Sequence, residues 1–205
     1  NAKGNSTMAI WLWLAKMDRP LSENEYHDML ELLPEDRRLR LERIPREKHQ
    51  EVLCAYLLLR LALHDRYSWR TLPVISTEAS GKPYFPAYPE VHFSLSHTAG
   101  AAAVAVADTP VGVDIEHIRP VSVRTMERIA GVRTQEAFFR CWVRREARVK
   151  RAGAGIVTMM KTETPLRAGE FYYEISSFPG YAAGVATGEP APPQKIQRLH
   201  LDELL

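Results

Sequence analysis

The stretch Val111-Gly112-Val113-Asp114-Ile115-Glu116 predicts a strand around which the rest of the chain is organised. Apolar residues alternate strictly with a glycine and two carboxylates, which is the pattern of a half-buried strand. Asp114 and Glu116 would lie side by side on its open face, where a cation is the usual way to hold two like charges together. Gly112 would leave the backbone bare beside them, so that a ligand could approach closely. The strand therefore predicts a metal site, although strands also show charged side chains to water.

A second stretch, Trp142 to Lys150, is predicted to be helical. Trp142, Glu146 and Lys150 recur at four-residue spacing, which places them on one face of the helix. A Glu–Lys pair at this spacing is usually a solvated salt bridge that contributes about 0.3–0.5 kcal/mol. The alternative is that this face supplies a third carboxylate and an ammonium group that binds phosphate.

Length and composition describe an ordinary globular protein. The 205 residues suffice for one domain or two small halves, and the net charge of +2 neither requires nor excludes an acidic partner. The sequence contains no apolar run of membrane-spanning length and no hydrophobic signal segment. Cys54 and Cys141 fall in apolar helical patterns and predict free, buried thiols, as expected of a cytoplasmic protein. Residues 1–7 are small, polar and patternless, and we interpret them as a cloning remnant ahead of Met8.

The first half of the chain begins with signals for a strand and several helices. Met8 to Lys16 is an aromatic and aliphatic strand pattern. Ser22 and Glu25 have the spacing of a capping box at the start of a short helix. A long apolar helix is predicted roughly from Arg46 to His64.

Two hairpins with similar patterns follow, one in each half of the chain. The first joins the predicted strands Val91–His97 and Ala101–Ala107. The second joins Phe171–Phe178 and Tyr181–Thr187, again with small residues in the second strand.

This repetition predicts an α+β fold made of two similar α/β halves, residues 8–110 and 111–205. We expect the halves in a pseudo-twofold arrangement, each with an antiparallel sheet packed on a long helix. The segment 194–205 would return as a last short strand or lie on the surface.

Four blocks of sequence resemble the surfactin-type 4′-phosphopantetheinyl transferases and occur in that family's order. They are Gly81–Pro83, Phe93–His97, Gly112–Glu116 and Trp142–Lys150. The resemblance runs from about Pro34 to Tyr181, and the last two blocks together are highly specific. It implies the fold of that family, with the active site at the interface of the two halves.

The resemblance also implies a reaction. Family members move the phosphopantetheine arm of coenzyme A onto a serine hydroxyl of an acyl or peptidyl carrier protein and release 3′,5′-ADP. Such a displacement needs Mg²⁺ to gather the phosphate oxygens and neutralise the leaving group. The matching positions assign Asp114, Glu116 and Glu146 as the carboxylates that bind Mg²⁺, which prefers oxygen ligands. Glu146 is also expected to deprotonate the serine, so the expected catalytic residues are Glu146, Lys150 and Asp114.

Further residues match family positions that contact coenzyme A. Lys150 is expected to hold a phosphate, and Ser96 and His97 to touch the phosphates from the mouth of the first hairpin. Lys82, expected to be exposed at the tip of a turn, would line the nucleotide end. Arg46 would bind the 3′-phosphate. It belongs to a group of arginines that is more often a solvated surface than a binding site: Arg37, Arg38, Arg40, Arg43 and Arg46.

The chain departs from the family pattern in three places. Arg145 replaces the usual lysine, which keeps the charge but changes its geometry. Gln50 and Glu51 occupy the neighbourhood of a basic residue that is often found early in the long helix. The segment 117–141 is shorter than in better-known members, where it helps to receive the carrier protein. We therefore expect the short segment to affect the choice of carrier protein more than the chemistry on coenzyme A.

The hypothesis of a monomeric, Mg²⁺-dependent transferase has two rivals. A module that binds coenzyme A or a carrier protein without turnover would account for the short segment, but it has no physical need for three carboxylates around one spot. A metal-dependent nuclease would want a strongly basic surface, which a net charge of +2 does not supply. We therefore expect neither nucleic acid nor a membrane among the partners.

Overall fold

The computed structural model describes residues 9–153 and 165–205, so the interpretation of residues 1–7 and the predicted strand start at Met8 lie outside the described residues. The strands are β1 Ile10–Lys16, β2 Ser76–Thr77, β3 Pro83–Tyr84, β4 His92–Thr98, β5 Ala101–Ala107, β6 Gly112–His117, β7 Phe171–Ile175, β8 Tyr181–Thr187 and β9 Lys195–His200. The helices are α1 Glu23–Glu31, α2 Glu35–Leu41, α3 His49–Tyr67, α4 Val123–Ala130, α5 Gln135–Ala152 and α6 Leu201–Leu204.

Local sequence signals place several of these elements correctly. Ser22 Oγ accepts from the N–H of Glu25 at 3.2 Å, and the Glu25 carboxylate accepts from the N–H of Ser22 at 2.8 Å, which confirms the capping box. Strands β5 and β8 have the predicted bounds. Helix α3 begins later than predicted because a 3-10 turn, Arg46–Lys48, follows Pro45.

The first sheet has the strand order β4-β5-β1-β9 and is mixed. β4, β5 and β1 pair antiparallel, but β9 runs parallel to β1, with Lys195 opposite Trp11. The expectation that each half carries its own antiparallel sheet is therefore wrong at this edge. β9 contributes one apolar side chain to each side of the sheet: Leu199 packs in the cluster around α3, and the partly buried Ile196 packs against the cluster on the opposite face. The predicted strand after residue 194 is confirmed.

The other two sheets are antiparallel. The second is the short β2–β3 pair, and the third has the order β6-β8-β7. Asp114 of β6 and Glu174 of β7 both lie opposite Gly184 of β8. The α+β class is confirmed, whereas the pseudo-twofold arrangement and the division between residues 110 and 111 stay predictions.

The two large sheets and the two long helices are stacked in the order α3, first sheet, third sheet, α5. Alternate residues of β1 serve different interfaces: Trp13 packs towards α3, and Leu12 and Leu14 pack against the third sheet. These side chains are fully buried, and burying a leucine contributes roughly 1.5–3 kcal/mol. β4 of the first sheet also contacts β6 of the third, and most of the predicted site residues lie on these two strands and on α5. The exceptions are Lys82, in the turn between β2 and β3, and Arg46, in the 3-10 turn before α3.

Helix α4 and the start of α5 lie in the segment 117–141, for which the sequence predicted no element. Ser122 Oγ accepts from the N–H of Thr125 at 3.2 Å and caps its start. Met126 is buried against Phe138 and Phe139 of α5. α4 therefore supports α5.

Both cysteines lie in helices, and neither forms a disulfide, as predicted. Cys54 is buried, and Cys141 is only half-buried. Within residues 9–153 and 165–205, no helix combines the length and the apolarity that crossing a membrane requires.

Candidate functional site

The face of β6 that carries Asp114 is covered by helix α5 rather than open. Asp114 is 3% exposed. A Cβ atom added to Gly112 would lie 2.0 Å from the carbonyl oxygen of Ala147 and 2.3 Å from the amide nitrogen of Arg151. The prediction that Gly112 admits a ligand is therefore wrong, because the backbone of α5 takes that space. The glycine brings the helix, with Glu146 and Lys150, close to the strand.

Asp114 lies at the centre of the site and has one satisfied and one unsatisfied oxygen. Its Oδ1 accepts from Ser96 Oγ and from Lys150 Nζ, each at 2.7 Å. Its Oδ2 is buried and has no hydrogen-bond partner among the described residues. A buried carboxylate oxygen without a partner is unfavourable. This oxygen is therefore a candidate ligand for a cation.

Glu146 lies one helical turn before Lys150 and has a strongly shifted pKa. Burial raises the pKa of this carboxyl to about 7, helped by the negative charges of Asp114 and Glu116 and opposed by Lys150. The charges of Asp114 and Glu116 thus act on Glu146, so the three predicted carboxylates interact electrostatically. A carboxyl with this pKa is about half protonated at neutral pH and can accept a proton from a substrate.

Glu116 lies at the more open end of the site, with its side chain 19% exposed. Its Oε2 accepts from Arg119 Nη1 at 2.9 Å and from Thr98 Oγ1 at 3.3 Å. Arg119 thus neutralises Glu116 much as Lys150 neutralises Asp114.

The donor set of Asp114, Glu116 and Glu146 fits a hard cation such as Mg²⁺, because all of its ligands are carboxylate oxygens and one of them is buried without a partner. In the arrangement described for residues 9–153 and 165–205, no three His, Cys, Asp or Glu side chains converge closely enough to hold an ion. Ion pairs with Lys150 and Arg119 occupy two of the carboxylates. The metal assignment stays a prediction, and it requires these two cations to move.

A cavity of about 480 Å³ extends from this cluster between α5, β4, the β2–β3 turn and the helices of the first half. Glu146 and Lys150 lie among its lining residues, with Arg40 of α2 and Tyr56 of α3 on the side of the first half. The cavity thus lies between the two predicted halves and combines positive charge with an aromatic wall.

Lys82 lines the cavity but is not exposed at the tip of its turn as predicted. Its Nζ donates to the carbonyl oxygen of Arg151 in the last turn of α5 at 2.7 Å. Burial lowers the pKa of this lysine. Lys82 therefore joins the β2–β3 turn to the end of α5, within reach of the cavity.

Ser96 and His97 lie next to each other on β4 and point to different surroundings. Ser96 is buried, with its hydroxyl committed to Asp114. His97 keeps an exposed surface, and the pKa of its ring is lowered by desolvation and by the charges of Lys150 and Lys48. A neutral imidazole at this position can donate or accept a hydrogen bond at neutral pH.

Arg46 lies apart from the cavity. Its guanidinium stacks 3.5 Å from the ring centre of Tyr26 and pairs with Glu23 at 3.3 Å. Arg40, another member of the arginine group, lines the cavity instead. Tyr56 was missed because it reads as part of the apolar face of α3. The pairing of that face with a cavity depends on contacts that are distant in sequence.

The chain is similar in sequence to several proteins that are described as 4′-phosphopantetheinyl transferases. The chain is 26% identical over 219 residues to 4′-phosphopantetheinyl transferase Sfp of Bacillus subtilis, which spans 92% of this chain and 97% of that protein. It is 27% identical over 183 residues to psf-1 of Bacillus pumilus, spanning 76% and 78%. It is 27% identical over 177 residues to HetI of a Nostoc species, spanning 77% and 74%. No family model matches the chain.

Proposed function

We propose that this chain, a distant member of the Sfp-type 4′-phosphopantetheinyl transferase family, transfers 4′-phosphopantetheine from coenzyme A to a serine of an acyl or peptidyl carrier protein. The observation that supports this reaction best is the meeting of Asp114, Glu146 and Lys150 at the end of a cavity between the two halves. It combines a proton acceptor, a phosphate-binding cation and an unsatisfied buried carboxylate oxygen.

Coenzyme A would bind in the cavity through its phosphates. Lys150 lines the cavity beside Glu146 and would turn from Asp114 towards the pyrophosphate. Lys82 and Arg40 also line it and would hold the nucleotide end. His97 lies close enough to Lys150 to be affected by its charge, and it would contact the same phosphates. Arg46 would reach the 3′-phosphate only after leaving Tyr26 and Glu23, so Arg40 is the better candidate.

Asp114, Glu116 and Glu146 would hold Mg²⁺, which when bound would draw phosphate oxygens together and neutralise charge on the leaving group. Arg119 would release Glu116, just as Lys150 would release Asp114. The positive charge that balances the carboxylates would then be exchanged, not lost.

The transfer itself is a displacement at phosphorus. The carrier serine oxygen attacks the phosphorus that is bonded to pantetheine, and the bond from that phosphorus to the oxygen of the 3′,5′-ADP leaving group breaks. The serine proton would pass to the Glu146 carboxylate, directly or through a water. Lys150 would stabilise negative charge on the transferred phosphate.

The carrier protein would approach the open end of the site. Glu116 and Arg119 lie there, and α4 packs on the neighbouring part of α5. Val123 at the start of α4 is 51% exposed and would contact the carrier. All of the named site residues belong to one chain, so we propose that the enzyme acts as a monomer.

The transfer can be tested directly. The protein is mixed with coenzyme A, Mg²⁺ and a panel of apo carrier proteins, and the intact mass of each carrier is measured. We expect at least one carrier to gain one phosphopantetheine, and EDTA to abolish the gain.

The second candidate is a module that binds coenzyme A or a carrier without turnover. The observation that favours it is that Lys150 and Arg119 already neutralise Asp114 and Glu116. Binding of coenzyme A in a calorimeter, with no mass gain on any carrier, would support this module and contradict the transferase.

A further inference from the structure

Strands β4 and β6 are joined by side-chain hydroxyls. The backbone of β4 pairs with β5 and that of β6 pairs with β8, so the two strands belong to different sheets. Between them, hydroxyl oxygens on every second residue of β4 accept from backbone N–H groups of β6. The pairs are Ser94 with Val113 at 3.0 Å, Ser96 with Ile115 at 3.4 Å and Thr98 with His117 at 3.3 Å. We call these three pairs the hydroxyl ladder.

Two hydroxyls of the ladder also hold the carboxylates of β6. Ser96 Oγ donates to Asp114 Oδ1 at 2.7 Å, and Thr98 Oγ1 donates to Glu116 Oε2 at 3.3 Å. Each of these residues thus binds one backbone amide of β6 and the carboxylate that immediately precedes it. For Ser94 the corresponding position is Gly112, which has no side chain. Ser94, which also lines the cavity, therefore joins the two strands without holding a carboxylate.

The hydrogen-bonding capacity of a hydroxyl limits what Ser96 can do. A serine has one proton to donate, and Ser96 gives it to Asp114. Ser96 is also 5% exposed, beneath the cluster that it supports. While this bond persists, the Ser96 hydroxyl cannot donate to a phosphate of coenzyme A. The Ser96 hydroxyl is placed to orient the Asp114 carboxylate. A hydrogen bond to a charged group contributes about 1.5–3 kcal/mol, which is enough to favour one orientation.

We propose that Ser96 and Thr98 are positioning residues, which fix the orientation of Asp114 and Glu116 for Mg²⁺ while the ladder holds the two sheets together. This inference rests on the proposed transferase function. It adds Thr98 to the site and gives Ser96 a role different from phosphate binding. Each carboxylate is held by a hydroxyl through one oxygen, and the unpartnered Oδ2 of Asp114 stays free to bind the ion.

The test compares hydroxyl removals that differ in whether a carboxylate is involved. Thr98→Val keeps the shape of the side chain and removes its hydroxyl, and Thr98→Ser restores a hydroxyl. Ser96→Ala removes the bond to Asp114. Ser94→Ala is the matched control, because it removes one acceptor for a β6 amide and no bond to a carboxylate.

Two quantities are measured for each variant: Mg²⁺ affinity by calorimetry on the coenzyme A complex without carrier, and the KM for coenzyme A in transfer. We expect Thr98→Val and Ser96→Ala to weaken Mg²⁺ binding about tenfold, because an unoriented carboxylate loses roughly one charged hydrogen bond. Their KM for coenzyme A should change less than about twofold. Thr98→Ser should restore Mg²⁺ affinity, and Ser94→Ala should lower the melting temperature without changing Mg²⁺ affinity.

The opposite results overturn the inference. Equal Mg²⁺ affinities of Thr98→Val and Ser94→Ala would show that the ladder only joins the sheets, and a raised KM with unchanged Mg²⁺ affinity in Ser96→Ala would return Ser96 to the phosphate. If Ser96→Ala does not fold, the Thr98 series decides, because Thr98 lies at the half-buried end of β4. A wild type that binds Mg²⁺ but modifies no carrier contradicts the proposed function and leaves the affinity comparison valid. A wild type that binds no Mg²⁺ contradicts both.

Discussion

Helices α3 and α5 each cover one sheet, but they approach their sheets differently. α3 packs on the first sheet through large, fully buried apolar side chains, among them Leu53, Leu58 and Leu63. α5 approaches the third sheet so closely at Gly112 that its backbone takes the place of a side chain. A thick apolar layer keeps water and charge out from under α3, whereas the close approach of α5 places Glu146 and Lys150 beside Asp114.

Gly184 continues this close packing across the third sheet. It lies opposite Asp114, and a Cβ atom there would be 2.1 Å from the hydroxyl oxygen of Tyr172. Burial raises the pKa of that hydroxyl, and the charge of Glu174 adds to the effect. The missing side chains thus make room for polar groups beneath the helix. The same helix-on-sheet arrangement contributes an apolar core on one side of the molecule and a cluster of charged groups on the other.

The largest effect is expected from removal of the proposed base on α5. Glu146→Gln keeps the shape of the side chain but can neither accept a proton nor offer a full charge to Mg²⁺. Transfer measured by carrier mass should fall about 10³-fold or more, with coenzyme A binding retained. Glu136→Gln, in the first turn of the same helix, is the control and should stay within about twofold. Transfer by Glu146→Gln at a rate near wild type would show that α5 does not supply the base.

The close approach of α5 can be tested with a single methyl group. Gly112→Ala should lower the free energy of unfolding by about 3 kcal/mol or more, because both clashing atoms belong to the helix backbone. Gly131→Ala meets open space and changes only a residue at φ 67°, so a loss of about 1 kcal/mol is expected. Urea unfolding measures both variants. Equal losses would show that α5 can shift at little cost.

Truncating a buried leucine of α3 should lower stability without changing the site. Leu58→Ala should lower the free energy of unfolding by about 2–4 kcal/mol, because Leu58 is fully buried. The Mg²⁺ concentration for half-maximal transfer should not change, since α3 packs on the sheet that lacks the carboxylates. A Mg²⁺ dependence shifted as strongly as in the Ser96 variant would contradict the separation of roles between α3 and α5.

The stability of the metal-free protein should depend on pH through Glu146. Its pKa is about 7 in the folded protein, well above the ordinary value near 4.5, so the folded state binds more protons between these values. Stability should therefore fall as pH rises from about 5 to 8, by roughly 1–2 kcal/mol. Glu146→Gln should remove this part of the pH dependence in urea titrations made with EDTA. A wild-type profile that the substitution leaves unaltered would contradict the raised pKa.

The smallest effect is expected at the exposed end of the site. Arg119→Gln removes the cation that competes for Glu116, so Mg²⁺ should bind about two- to fivefold more tightly. Arg133→Gln breaks another exposed pair, with Glu127, and serves as the control. Calorimetry of the coenzyme A complexes compares the two variants. Weaker binding by Arg119→Gln alone would mean that Arg119 holds Glu116 in place for the ion.

Patterns that depend on nearby residues predicted the two main elements of the site, although helix α4 was missed despite its cap at Ser122. Alternation placed β6 and put Asp114 and Glu116 on one face, and spacing put Glu146 and Lys150 on one face of α5. Gly112 was misjudged because a missing side chain does not reveal what fills the space. Three features depend on contacts between distant segments and could not be predicted. They are the position of Arg40 rather than Arg46 at the cavity, the parallel pairing of β9 and the hydroxyl ladder. Alternate hydroxyls at Ser94, Ser96 and Thr98 were nevertheless a visible signal of a polar strand face.

The first sheet can be completed only after β9 has been synthesised. β1 precedes every other strand of its sheet in the chain, but one of its two neighbours is not synthesised until residues 195–200. Until then the edge of β1 is unpaired, and the apolar surface beneath α3 lacks Leu199 and Leu201. Contacts of such long sequence separation slow folding and prolong the exposure of strand edges that can aggregate. Nascent chains stalled before residue 195 should therefore need chaperones more than chains that include β9 do, although every named site residue has already been translated.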